Sequence, residues 1–72
     1  MAKDLKRSLT IAGHRTSLSL EPEFWEALQK AAVARNVSAA TLVATIDHER
    51  GARNLSSAVR VWLLRDAGRS GD

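Results

Sequence analysis

The chain has no cysteine, which excludes disulfides and thiolate metal sites. Its two histidines, His14 and His48, lie far apart with no flanking set of ligands, so no metal centre is expected either. No apolar run approaches the length of a membrane span, and the N-terminus lacks a signal-peptide core. The expectation is a soluble, intracellular protein, cytoplasmic and without a membrane partner. There is no glycine-rich phosphate loop and no pair of carboxylates in an apolar setting. Asp47, His48 and Ser56 are the residue types of a triad, but neighbours on a helix such as Asp47 and His48 project in different directions. No enzymatic activity, cofactor or small-molecule substrate is expected. At 72 residues the chain sits near the lower limit for a domain that folds alone. With disulfides and metals excluded, a partner subunit is the remaining source of stability.

What is present begins with a short alternating strand, Arg15-Thr16-Ser17-Leu18-Ser19-Leu20. Leu18 and Leu20 point to one face, Arg15, Ser17 and Ser19 to the other. A lone strand leaves its backbone groups unpaired, and the simplest partner is the same strand of a second copy. The resulting ribbon carries small polar and cationic side chains outward, and the major groove of DNA admits such a ribbon. Charge placement agrees. Lys3, Lys6, Arg7 and Arg15 against Asp4 account for the whole net charge of +3, while acids and bases balance from residue 16 onward. That is an electrostatic footprint for a polyanion. Upstream, Ser8-Leu9-Thr10-Ile11 also alternates and is followed by Ala12-Gly13. It is either a second strand folding back as a hairpin or an extension of the ribbon.

Three helices follow. Pro22 suits a first helical turn, Glu21, Glu23 and Glu26 suit its positive pole, and Phe24, Trp25, Leu28, Ala31 and Ala32 recur at helical spacing. Asn36-Val37-Ser38-Ala39-Ala40 returns 18 residues later as Asn54-Leu55-Ser56-Ser57-Ala58. Both read as a helix stop followed by a serine N-cap. The second helix is expected over about residues 38–48, with Leu42, Val43 and Ile46 inward. The third carries Val59, Val61, Trp62, Leu63 and Leu64. The expected organisation is a flexible basic arm over 1–7, a domain over 8–67 and a disordered tail over 68–72.

The run from His14 through Leu20, Glu21 and Pro22 to Trp25, together with Asn54-Leu55-Ser56-Ser57-Ala58-Val59-Arg60, resembles the ribbon-helix-helix repressors of the Arc and MetJ type. Within that family the chain is most similar to a small bacterial subfamily with an extra third helix. The resemblance implies a mostly α fold with one short N-terminal β-strand, ordered β-α-α-α. It also implies an intertwined homodimer whose antiparallel two-stranded ribbon is intermolecular. Carried onto this sequence, it places Arg15, Ser17 and Ser19 on DNA bases. Ser38 and the amides of Ala39 and Ala40 fall on phosphates at the start of the second helix. Lys6 and Arg7 of the arm are expected on phosphates too, and His14 either joins them or simply opens the strand. The dimer core would comprise Leu18, Leu20, Trp25, Leu28, Leu42, Ile46 and Trp62.

The function this implies is a sequence-specific regulator of transcription, of repressor type, bound to double-stranded DNA in the nucleoid. It would act as a homodimer, with higher oligomers on DNA as an extension. The rival is a protein-interaction module such as an antitoxin-like partner-binding protein.

Overall fold

In the computed structural model, which describes residues 5–70, two strands precede three helices. They are β1 (Leu5–Ile11), β2 (His14–Leu20), α1 (Pro22–Ala34), α2 (Ala39–Glu49) and α3 (Leu55–Ser70). The upstream alternating segment is therefore a second strand, and the expectation of a single strand is corrected. β1 and β2 pair antiparallel from Leu5 opposite Leu20 to Ile11 opposite His14. The strand partner expected from a second copy is supplied by the same chain. The physical reason is local: a two-residue loop brings the strands together at little cost in chain entropy. Leu5, Lys6 and Arg7, expected in a flexible arm, belong to this strand. The rest of the expected arm, residues 1–4, lies outside the described residues.

The loop is Ala12-Gly13, with φ of 51° and 80°, both positive as a type I′ turn requires. Glycine takes this conformation freely, whereas alanine meets its own Cβ there. Ala12→Asn, which gives the asparagine-glycine pair favoured in these turns, is expected to raise stability by about 0.5–1 kcal/mol. Urea denaturation measures it, and an unchanged midpoint would show that Ala12 carries no strain.

Helix boundaries follow cap chemistry. At the end of α1, Asn36 takes φ of 59°. Its N–H donates to the Val33 carbonyl and that of Val37 to the Ala32 carbonyl, both at 3.0 Å, a Schellman closure. Ser38 caps α2 by accepting the Thr41 N–H at 3.0 Å. The echo of this pattern breaks at α3. There Asn54, not Ser56, is the cap, its Oδ1 accepting the Ser57 N–H at 2.8 Å and its carbonyl the Ala58 N–H at 2.9 Å. Ser56 is thus inside the helix. α3 also continues through Gly68 to Ser70, where a disordered tail was expected, while residues 71 and 72 lie outside the described residues.

The inner face of the hairpin closes one core with the helices, α2 against β1, α3 and α1 against β2. Leu18, Leu20, Leu28, Val43 and Val59 are fully buried, ringed by Ile11, Trp25, Leu42, Ile46 and Leu63. Burying each such side chain stabilises by about 1.5–3 kcal/mol. No buried side-chain polar atom among the described residues lacks a partner.

One ion pair ties the end of the hairpin to α3. Arg60 Nε donates to Glu21 Oε1 at 2.9 Å, with the guanidinium 5.9 Å from the Phe24 ring centre. The bond from Arg60, helped by a backbone bond and by the arginine's charge, holds the Glu21 carboxyl below its usual range. Its stabilisation is therefore complete above the ordinary glutamate range and is lost as pH falls through the lowered value. The stability gap between wild type and Glu21→Gln should accordingly narrow on acidification. Urea midpoints at neutral and acidic pH check this, and a gap that widens in acid would contradict it.

Candidate nucleic-acid interface

Period-two alternation assigns each hairpin residue to a face. Leu9, Ile11, Leu18 and Leu20 pack on the helices. Lys6, Ser8 and Thr10 of β1 and Arg15, Ser17 and Ser19 of β2 therefore form the outer face. Across the ribbon Lys6 stands opposite Ser19, Ser8 opposite Ser17 and Thr10 opposite Arg15. All are exposed except Ser19, which is half-buried. The face contains four hydroxyls, two cations and no acid. Neither Lys6 nor Arg15 is held in an ion pair among the described residues. Hydroxyls donate and accept, and cations donate only, so this surface matches the acceptor-rich edges and phosphates of a duplex.

The structure brings together Arg15, Ser17 and Ser19, the expected base contacts, and adds residues that sequence reasoning missed. Ser8 and Thr10 share the face, and Lys6 stands among them instead of in an arm. Their signal was the alternation of residues 8–11 ahead of Ala12-Gly13, which fits a hairpin but leaves an extended ribbon open. Arg7 is corrected. It lies on the opposite face, its guanidinium 5.0 Å from the Trp25 ring centre, because residues one apart on a strand face opposite ways. His14 sits at the turn opposite Ile11 and is exposed.

Beside Ser17 and Ser19 the ribbon meets the start of α3, and a shallow depression is lined by Ser17, Ser19, Asn54, Leu55, Ser56 and Arg60. The amides of Leu55 and Ser56 open the helix at its positive pole and have no acceptor within it. Ser38, Ala39 and Ala40 hold the equivalent place in α2, with Ser38 exposed and both alanines half-buried. The helix start seen to adjoin the outer-face serines is that of α3.

Leu18, Leu20, Trp25, Leu28, Leu42 and Ile46 are all buried in the core of the single chain. Trp62 is not. It packs half-buried at the edge of the core, with the Arg35 guanidinium 4.7 Å from its ring centre. Arg35 in turn pairs with Asp66. Arg50 is engaged by Asp47 and by the Arg53 carbonyl, both at 2.6 Å, so it closes the end of α2. Among the described residues no helix is long and apolar enough to cross a membrane.

Comparison with known proteins agrees with this architecture. A family model described as the ribbon-helix-helix domain matches residues 5–67. The match starts where β1 starts, so the first strand is part of the domain and not an appended arm. Neither a curated protein nor a solved structure matches the chain. With its hairpin, its three helices and a family match across nearly the whole sequence, the chain belongs to the ribbon-helix-helix domain family.

Proposed function

We propose that the protein is a DNA-binding regulator of transcription, of repressor type and not an enzyme, that inserts the outer face of its ribbon into the major groove. One observation carries the reading: six adjacent side chains that hydrogen-bond or carry positive charge, with no acid among them, on a two-stranded ribbon. Arg15 forms a bidentate bond to a guanine edge, and Ser17 and Ser19 donate to or accept from neighbouring bases. Open amides at Ala39 and Ala40, and at Leu55 and Ser56, take backbone phosphates on the flanks and fix the ribbon's register. His14, exposed at the turn, joins them on the backbone. Members of this family generally bind DNA as dimers, and a homodimer on nucleoid DNA in the cytoplasm belongs to the same proposal.

Arg15→Ala should weaken binding to the preferred duplex by about 1–3 kcal/mol and relax preference at one base position. Unchanged affinity would remove Arg15 from the interface. The reading as a whole is tested by titrating the protein against a random duplex library at low and near-physiological salt and sequencing what is retained. An enriched motif at the higher salt is expected. Binding that vanishes with salt and enriches nothing would instead mark a nonspecific DNA binder. No binding even at low salt would overturn the reading in favour of a protein-interaction module.

A further inference from the structure

Along α3, Ala58, Val61, Trp62 and Arg65 recur at steps of three and four, which sets them on one face of the helix. That face does not close fully on the core. With the last turns of α2 and the loop that follows, it borders a groove. Ile46 and Ala58 are buried at its base, and Val61 and Trp62 are half-buried along its wall. Glu49, Arg53 and Arg65 stand exposed on its rim. The groove continues past Trp62 to Arg35 and Asp66. Its two halves enclose about 120 and 270 Å³. Each is below the roughly 300–1,000 Å³ of small-molecule sites, so the shape suits an extended chain that lays a side chain inward.

The cations of the groove differ in what they are free to do. Arg35 is committed to Asp66 and to the Trp62 ring, and Arg50 to Asp47 and the Arg53 carbonyl. The guanidinium groups of Arg53 and Arg65 have no hydrogen bond or ion pair among the described residues, and neither has the Glu49 carboxylate. Two unanswered cations and one acid therefore flank an apolar floor.

We infer that this groove docks an acidic segment of another protein, which lays an apolar side chain against Ala58, Val61 and Trp62 and sets carboxylates on Arg53 and Arg65. A guanidinium matches a carboxylate through a two-pronged hydrogen bond, and an apolar anchor in a groove is how short segments gain affinity. The walls are set before a partner arrives. Arg35 stacks on Trp62, and the Arg50 bond to the Arg53 carbonyl fixes the loop, so little ordering is left to be done on binding. A DNA backbone fits less well, because it brings no apolar side chain to the floor and Glu49 repels its phosphates. None of the six outer-face residues of the ribbon lines the groove. Docking and the proposed DNA contact thus use different residues, and in a homodimer each subunit brings its own groove.

The test screens the full chain against an array of peptides in which one leucine is flanked by glutamates at varied spacing, with lysine-for-glutamate twins as controls. The best binder is then labelled with fluorescein and followed by anisotropy. Glutamate peptides are expected to bind and their lysine twins to fail. Arg53→Glu and Arg65→Glu should each lower affinity at least about tenfold by setting like charge on like. Both side chains are exposed, so the urea midpoints of these variants should stay at the wild-type value. In NMR the Trp62 indole and the amides of Ala58 and Val61 should shift on binding. Retention of no glutamate peptide would overturn the inference, as would undiminished binding in the double Arg53→Glu, Arg65→Glu variant. A random-sequence duplex that moves the same signals and displaces the peptide would overturn it too, making the groove a nucleic-acid contact. Failure of the wild type to bind the library duplexes would overturn the DNA reading alone and leave this inference standing.

Discussion

Leu18→Glu is expected to unfold the protein, and Leu18→Ala to cost about 2–5 kcal/mol. Leu18 has no exposed surface and lies in the core facing the helices. A 72-residue domain has about 4–11 kcal/mol of stability in total on the usual per-residue scale. Alanine alone therefore consumes much of it through lost transfer free energy and the cavity left behind. Glutamate adds the cost of an unpaired buried charge, which a neighbouring core of leucine, valine and isoleucine cannot answer. Far-UV circular dichroism and urea midpoints of the two variants measure this. A folded glutamate variant with the wild-type midpoint would show that Leu18 faces solvent. The register would then be shifted by one residue, a slip that exchanges the two faces of the whole strand. Because Leu18 and Leu20 are buried within one chain, the expected loss is of the fold itself and not only of a dimer.

Trp25→Ala is expected to cost about 3–5 kcal/mol and to loosen β1 before the rest. Trp25 keeps only 4% of its surface and does two things at once. Its ring fills the core beneath the hairpin, and its Nε1–H donates to the Leu5 carbonyl at 2.8 Å. Arg7 covers the ring from β1, so the first strand is held to α1 by both a hydrogen bond and a cation over an aromatic face. Trp25→Phe separates the contributions. It retains most apolar bulk but deletes the donor, for an expected loss of about 1 kcal/mol. Amide hydrogen exchange should speed up across Leu5–Ile11 in the alanine variant by more than across α2. Equal acceleration everywhere would mean that Trp25 supports the core without specially anchoring β1.

Much of this fold was legible in the sequence because its signals are local. Proline after Glu21, asparagine at position 36 and serine at position 38 each have a cap role fixed by their own chemistry, and each takes it. The core face of α1 follows from spacing alone. Three features were not legible, for different physical reasons. The partner of β2 is a tertiary choice: Ser8–Ile11 alternates equally well for a hairpin or for an extended ribbon, and the deciding turn places an alanine where φ is positive. The cap of α3 was misplaced because asparagine serves both as a left-handed C-cap and as an N-cap. The 18-residue echo assigned Asn54 the first role, while the longer loop after α2 gives it the second. Trp62 was expected in the core on its type, but Arg35 stacks on it at the surface, a contact between α1 and α3 that no local spacing encodes.

The outer face was half legible. Arg15, Ser17 and Ser19 follow from the alternation of one strand, whereas Ser8, Thr10 and the placement of Lys6 need the second.

The central claim is that this outer face is the surface that meets DNA. It is tested most directly by backbone amide NMR of the full chain titrated with the library-selected duplex. The expected perturbations fall on Lys6, Ser8, Thr10, Arg15, Ser17 and Ser19 and on the start of α3 at Leu55 and Ser56, and they weaken with added salt. Perturbations confined to the Trp62 side of α3, with the hairpin unmoved, would contradict it.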